Sequence, residues 1–260
     1  MNICLFSKDE IKNPLPKKDE RAQHIIKVLH KKEGDTFDAG IIGGAAGTAA
    51  ITRISDDGEI FFDFKPESAG KTLYPLTLII GFPRPIQLRR LLRDVAGLGC
   101  KKVILTGTEL TEKSYLNSNV VTDGSAYEML LDGTAQAAST HVPELVFYKN
   151  LDETLRNLRG SSSSSRSFEQ NEKYSAWNQI SKIALDNRRA KMSLRSFLEH
   201  ESAQNVIAAI GSERGWTDKE CDLLEQNEFT LCSMGTRVLR TETAATVASS
   251  IILDAMGFLN

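Results

Sequence analysis

Aromatic residues make up only 7% of the chain, and it has just seven prolines and four cysteines. The cysteines (Cys4, Cys100, Cys221, Cys232) are scattered and form no Cys-x-x-Cys pair. That argues against a zinc site or a disulfide scaffold and fits a reducing cytoplasm. The four histidines (His24, His30, His141, His200) show no ligand spacing, so no metal is expected. No apolar run reaches the roughly 18–20 residues that span a bilayer. Lys8, Asp9 and Glu10 interrupt the N-terminus too early for a signal peptide. An excess of one charge is missing as well: 32 Lys and Arg face 34 Asp and Glu, a net charge of −2. This excludes a uniformly basic coat for nucleic acid and leaves room for a local basic patch. The expectation is a cytoplasmic protein with neither a metal nor a membrane partner.

The chain does have enough material for a core: 260 residues, 41% of them apolar, which means one large domain or two small ones. Its charge is unevenly spread. Residues 1–32 hold eight basic side chains against four acidic ones, so a polyanion would touch the N-terminal part. Residues 1–72 read as one unit: a short helical pattern over Ala22–Leu29, a turn signal at Gly34-Asp35, then β-like runs at Thr36–Ile41, Thr48–Ile54 and Glu59–Phe64. Asp56-Asp57-Gly58 reads as the hairpin turn between the last two. Short strands at this spacing point to a small β-barrel.

From residue 73 to 260 the pattern changes. Continuous apolar runs (Leu76–Gly81, Val103–Thr106, Val142–Tyr148, Val206–Gly211) alternate with helical patterns at Ile86–Leu98, Ala126–Ala138, Thr217–Gln226 and Glu242–Leu259. Strands without polar alternation, separated by helices, indicate an α/β domain with a parallel sheet covered on both faces. The polar, Ser-rich stretch 156–175 reads as a flexible surface loop.

Four clusters could carry chemistry. Gly211-Ser212-Glu213-Arg214-Gly215 follows a buried strand and precedes a capping box, Thr217 to Glu220. A strand, a glycine turn and a helix start expose backbone N–H groups where α/β proteins bind ligands, although a tight structural turn fits equally well. Met234 to Ala244 follows another apolar run, Phe229–Met234, and opens the last helix, with Thr241 as N-cap. A solvated helix start with an Arg–Glu ion pair is its plain alternative. Arg84, Arg89, Arg90 and Arg93 sit on or before one helix and could hold a phosphate backbone or form a solvated face. Arg188, Arg189, Lys191 and Arg195 make a similar, weaker cluster. Finally, Arg21 and His24, with Lys17, Lys18 and Lys27 around them, could lie along RNA, or His24 could be a satisfied structural histidine.

The order of these pieces is more specific than any one of them. Arg21-x-x-His24-x-x-x-Val28-Leu29 with Gly34-Asp35 resembles the opening of the RsmE family, the 16S ribosomal RNA (uracil-N(3))-methyltransferases. The Gly211–Gly215 loop looks like that family's Gly-Pro-Glu-Gly-Gly loop. Met234-Gly235-x-Arg237-Val238-Leu239-Arg240-Thr241-Glu242-Thr243-Ala244 is similar, nearly residue for residue, to its Leu-Gly-x-Arg-Ile-Leu-Arg-x-Glu-Thr-Ala signature. The chain departs from the family at Ser212 and Arg214 in the first loop. It departs again at Asp94-x-x-Gly97 in the Arg-rich helix and at Ala135-Gln136-x-x-Ser139.

The resemblance implies a PUA-like β-barrel over 1–72 and a SPOUT-type parallel sheet with a C-terminal deep trefoil knot over 73–260, assembled as a homodimer. It implies S-adenosylmethionine as cofactor, held by Ile210, Gly211, Glu213, Gly215, Met234, Gly235, Val238, Leu239 and Thr243. It implies ribosomal RNA or the small ribosomal subunit as partner, contacted by Lys17, Lys18, Arg21, His24, Lys27, Arg89, Arg93 and Arg237. Arg240 is then expected to stabilise the uracil anion, with Glu242 fixing its direction. The alternatives are a SPOUT methyltransferase acting on another RNA, or a non-catalytic knotted RNA-binding dimer.

Overall fold

The structure, a computed structural model, describes residues 1–116, 118–160, 177–201 and 204–259. The chain divides into two units: Met1–Leu73 together with Leu131–Val142, and Tyr74–Leu130 together with Pro143–Asn260.

The first unit carries a four-stranded sheet in the order β1 (Cys4–Phe6), β2 (Thr36–Ile41), β3 (Ala46–Ile54), β4 (Ile60–Ser68). β1 lies parallel to β2, and β2, β3 and β4 form an antiparallel meander. The turn at Asp56-Asp57-Gly58 closes the β3–β4 hairpin, with the Gly58 N–H donating to the Ser55 carbonyl at 2.8 Å. Phe6, Phe37, Ala39, Ala49, Ile51 and Ile60 pack with Ile25 into one core, and along β2 the buried Phe37 and Ala39 alternate with exposed Thr36 and Asp38. Phe62 meets both Phe6 and Phe37 at ring distances of 5.2 and 5.6 Å. Ala22–Leu29 is helical as expected but changes pitch: α1 (Glu20–Gln23) runs into a π-turn at His24–Val28.

Residues 131–142 were expected to belong to one continuous second domain. They pack in the first unit instead. The Asn2 and Ile3 N–H groups both donate to the Ala135 carbonyl, at 3.1 and 3.2 Å. Thr140 bonds to the chain at Gly43 and Gly44. Ala135 and Leu131 thereby cover Ile3 and Leu5 with a small second cluster.

The second unit is a seven-stranded, wholly parallel sheet ordered β7-β6-β5-β10-β8-β11-β9. Its strands are β5 (Tyr74–Gly81), β6 (Cys100–Thr106), β7 (Glu144–Tyr148), β8 (Ser181–Leu185), β9 (Met192–Ser193), β10 (Val206–Ile210) and β11 (Thr230–Ser233). Every residue of β10 is buried, the signature of a strand covered on both faces. α2 (Pro85–Gly97) follows β5, and the short turns α3 (Lys113–Leu116) and α4 (Asn119–Thr122) precede α5 (Ser125–Gln136). Then come α6 (Leu151–Gly160), α7 (Leu194–His200), α8 (Asp218–Gln226) and α9 (Thr241–Ala255). α9 packs along α2, where Thr246 donates to Asp94 at 3.4 Å. Residues 156–160, expected to open the Ser-rich loop, are the end of α6, held by an Asp152–Arg156 pair one turn apart. The remainder of that expected loop falls outside the described residues.

Among the described residues, no helix is long and apolar enough to cross a membrane. Nor does any group of three or more His, Cys, Asp or Glu there form a candidate metal site.

Candidate active site

Register places three loops side by side. Leu185 of β8 is opposite Ile210 of β10 on one flank and Cys232 of β11 on the other. The chain therefore leaves all three strands at nearly the same height, about 4.8 Å apart. The loops that begin there, Asp186–Arg188, Gly211–Gly215 and Met234–Arg240, surround a cleft of about 280 Å³. A crevice beyond the carboxyl ends of parallel strands is where open α/β sheets bind ligands.

The first loop to be considered is the glycine turn. The Gly215 N–H donates to the Ser212 carbonyl at 2.8 Å, and Gly215 has φ of +73°, a conformation that side chains disfavour. Gly211 is fixed by space: a Cβ there would stand 2.8 Å from the Gly215 carbonyl carbon. Two partners hold the turn from outside. Ser212 is buried and its hydroxyl accepts from Thr108 at 3.2 Å, and the Glu213 carboxylate accepts from the Arg84 N–H at 2.7 Å. The expected capping box is present at Thr217 and Glu220, and Glu220 also accepts from the Glu109 N–H.

The second loop, Met234–Arg240, leads into α9. The sequence pattern places Thr241 at the N-cap, but Arg240 occupies that position and Thr241 is the first helical residue. The reason is that Thr241 turns inward, buried, and donates its hydroxyl to the Gly211 carbonyl at 3.3 Å. That bond ties the two loops together.

Of the residues expected to hold a cofactor, Ile210, Gly211, Glu213, Gly215, Met234, Val238 and Leu239 line the cleft, joined by Arg214, Arg237 and Thr241. Gly235 and Thr243 lie off its wall: Gly235 turns the chain at φ of +90°, and Thr243 is exposed on the first turn of α9. Arg240 and Glu242 are also outside the lining. The expected Arg240–Glu242 contact is absent among the described residues, because Arg240 is exposed while Glu242 keeps Oε2 buried without a hydrogen-bond partner.

Of the third wall, Leu185–Arg188, the sequence singles out Arg188 alone, as part of a basic cluster and not as a cleft residue. Asp186 there is buried, and its Oδ1 accepts from the Arg188 and Arg189 N–H groups at 2.8 and 2.6 Å. A usable signal was the Ile183-Ala184-Leu185 run followed by the Asp186-Asn187 turn pair, but Lys182 interrupts it. In the fold Lys182 is buried, donating to the Trp177 and Ile180 carbonyls at 2.8 and 3.0 Å and pairing with Glu228.

The basic clusters divide. Arg188 and Arg189 are engaged with α8: Arg188 donates to the Trp216 carbonyl at 2.8 Å, and Arg189 meets Asp222 and Glu225 at 2.7 and 2.6 Å. Arg89 and Arg93 are on the exposed face of α2. In the first unit, Lys17, Lys18 and Lys27 are exposed, while Arg21 is half-buried. Its guanidinium is held by Asp19 at 2.7 Å, Glu10 at 3.1 Å and the Leu5 carbonyl at 2.7 Å, over the Phe6 ring. These bonds hold the Asp19 carboxyl, chiefly through Arg21, below its ordinary range. His24 is half-buried, and its Nε2 has no hydrogen-bond partner. Burial pushes Cys100 up to about 12 and Cys221 and Cys232 up to about 11, so these thiols are protonated near neutral pH.

A parallel sheet with a glycine-turn cleft at its carboxyl edge defines the class, and comparison with known proteins agrees: residues 71–253 match the RNA methyltransferase domain family. Ribosomal RNA small subunit methyltransferase E 1 of Borreliella burgdorferi is 35% identical over 97% of this chain and 97% of its own. Its counterpart named Ribosomal RNA small subunit methyltransferase E in Treponema pallidum is 37% identical over 97% of this chain and 91% of its own. A solved Neisseria gonorrhoeae ribosomal RNA small subunit methyltransferase E, bound to S-adenosyl methionine, shares the fold with a TM-score of 0.70. It is 17% identical, over 98% of this chain and 97% of that one. The chain belongs to the RsmE family of RNA methyltransferases.

Proposed function

We infer that this protein methylates N3 of a specific uridine in small-subunit (16S) ribosomal RNA, using S-adenosylmethionine. The observation that carries the reading is the cleft itself. It is built by the carboxyl-end loops of three adjacent parallel strands, two of which carry the family's motifs and are joined by the Thr241–Gly211 bond.

The residues present fit the cofactor. An adenine is neutral and is read by backbone groups and apolar walls, which Ile210, Met234 and Leu239 supply. Gly211 leaves room for the Gly215 backbone and Gly215 takes the left-handed φ that closes the turn, so the loop presents backbone to the cleft. When bound, S-adenosylmethionine supplies a methyl group on a cationic sulfur. The protein's own task is then to hold a uracil so that N3 faces that group, since alignment of two reactants accounts for a large share of such a rate. The uracil imide is a weak acid, so its anion must be favoured. Arg240, at the head of α9 and one residue from the lining Leu239 and Thr241, supplies a guanidinium to stabilise that anion and to bond a uracil carbonyl. Arginine stays protonated, so it is not the base. Arg237, on the cleft wall, is placed for the RNA backbone.

The remaining features of this reading are a deep trefoil knot around the cleft, a PUA-like first unit and a cytoplasmic homodimer. The three converging loops support the knot, and the small four-stranded sheet with Lys17, Lys18 and Lys27 exposed supports an RNA-binding first unit. Val238 is 85% exposed and Ile86 66%, apolar surface in the second unit of the kind that a subunit contact covers.

The test is nucleoside mass spectrometry on small ribosomal subunits lacking the modification, incubated with the protein and S-adenosylmethionine. The expected result is 3-methyluridine in the 16S RNA. Its absence, with cofactor binding intact by calorimetry, overturns the target; absence of both overturns the activity.

A further inference from the structure

Asp186 is the one acidic side chain on the wall contributed by β8, and nothing in the family motifs points to it. Its carboxylate is 5% exposed, and the two oxygens differ. Oδ1 is tied into the turn by two backbone N–H groups at 2.8 and 2.6 Å. Oδ2 has no hydrogen-bond donor among the described residues; its nearest cation, the Arg188 Nε, stands 4.0 Å away. The Arg188 guanidinium is directed elsewhere, to the Trp216 carbonyl at 2.8 Å and Asp218 at 3.4 Å. Asp186 lines the cleft and Oδ2 is not among the sealed, unpartnered polar atoms, so it is an acceptor that a ligand entering the cleft can bond in place of water.

Its position specifies the donor. The glycine turn leaves β10 at Gly211 and Asp186 leaves the neighbouring β8, with Ile210 and Leu185 paired in register between them. A glycine turn on one parallel strand, with an acidic residue at the end of the next, is how dinucleotide-binding sheets seat an adenosine: backbone on one side, ribose hydroxyls on the carboxylate. The sheet here has a different strand order and lacks that fold's fingerprint, but the local chemistry is the same.

We propose that Asp186 Oδ2 accepts a hydrogen bond from the ribose hydroxyls of the adenosyl group. The proposal rests on the cofactor reading above. It makes Asp186 a specificity residue for a ribose, positioned by the turn and taking no part in methyl transfer.

Calorimetry on the full chain tests it, with S-adenosylhomocysteine and its 2′,3′-dideoxy analogue as probes. The wild type is expected to bind the parent compound roughly tenfold or more tighter than the dideoxy analogue, the range of a hydrogen bond to a charged group. Asp186→Asn keeps an oxygen for the turn N–H groups and replaces the free acceptor with an amide. It is expected to lose that preference while binding the dideoxy analogue like the wild type. Asp186→Ser, which also shortens the side chain, should behave likewise provided its unfolding midpoint stays near that of the wild type. A wild type that binds both probes equally overturns the ribose assignment alone. So does an Asn variant that weakens S-adenosylmethionine but not S-adenosylhomocysteine, because only the former carries the sulfonium. A wild type that binds neither adenosyl compound overturns the cofactor reading and this proposal with it.

Discussion

The Thr241 hydroxyl donates to the Gly211 carbonyl across 3.3 Å, joining the first turn of α9 to the glycine loop 30 residues earlier. Thr241 is 3% exposed, so neither group has water as an alternative partner. Thr241→Val keeps the shape and removes the donor. It should cost about 1–2 kcal/mol of stability in urea unfolding, the penalty of an unpaired buried carbonyl. It should also weaken S-adenosylhomocysteine binding, because the two loops it joins are walls of one cleft. Unchanged affinity in the valine variant would mean that the loops hold their places without this bond.

The two glycines of the turn should respond differently to alanine. At Gly211 the new methyl would stand 2.8–2.9 Å from backbone atoms of Gly215, which cannot move without opening the turn. At Gly215 there is open space, and the only cost is a left-handed φ of +73°, about 1–2 kcal/mol. Gly211→Ala is therefore expected to abolish the rise in melting temperature that S-adenosylhomocysteine gives the wild type. Gly215→Ala should lower the melting temperature yet retain a ligand-dependent rise.

The contrast between what could and could not be read from sequence follows from the same physics. β10 is apolar at every position, and its glycine loop and capping box are local patterns, so both were legible. β8 was not, although it lies beside β10 in the sheet: Lys182 breaks its apolar run, and only the fold reveals that Trp177, Ile180 and Glu228 satisfy the ammonium. The wall residues Leu185, Asp186 and Asn187 were lost with it, and Arg188 was legible only as a basic residue. Arg21 was legible as a motif residue but not in its orientation, because Asp19, Glu10 and Leu5 reach it from three separate segments. The return of residues 131–142 to the first unit depends on the non-local Asn2, Ile3 and Ala135 bonds, which no periodicity encodes.

Arg240 is exposed at the head of α9 and has no side-chain capping role there. Arg240→Ala should leave stability within about 0.5 kcal/mol while lowering kcat roughly 10²-fold, the usual loss of a group that stabilises developing negative charge. KM for S-adenosylmethionine should be unchanged, and lysine at 240 should recover part of the rate. Glu242, whose Oε2 is buried without a partner, offers a sharper separation. Glu242→Gln should not lower stability, since Glu242 forms no ion pair among the described residues, but should slow methylation if Glu242 orients Arg240 once RNA is bound. A glutamine variant with the wild-type rate assigns Glu242 a purely structural place.

Acid should loosen the first unit. The Asp19 carboxyl is held below its ordinary range mainly by the Arg21 side chain, and Glu10 mainly by the Ser7 N–H with Arg21 assisting. A carboxyl with a depressed folded-state pKa contributes stability above its unfolded value, near 4, and loses that contribution as pH falls through the folded one. Arg21→Met should therefore destabilise the protein at pH 7, and its deficit relative to the wild type should shrink below about pH 4. A deficit independent of pH would indicate lost packing on Phe6 instead.

The two basic clusters give opposite predictions for charge reversal. Lys17, Lys18 and Lys27 are exposed, and among the described residues they form no ion pair; Lys27 bonds the neutral Gln23. Glutamates at these three sites should lower RNA affinity and flatten its dependence on salt, by about 0.7 in the log–log slope for each lost contact to single-stranded phosphate. Stability should barely move. Arg189 is bound to Asp222 and Glu225 and donates to the Asp218 carbonyl, fastening α8 to the loop after β8. Arg189→Glu would place like charges against α8, so it should lower the unfolding midpoint and leave the salt slope of RNA binding unchanged. Filter binding across a salt series, alongside urea melts of both variants, separates the two outcomes. A flattened slope in the Arg189 variant would move the RNA path to the α8 side of the second unit.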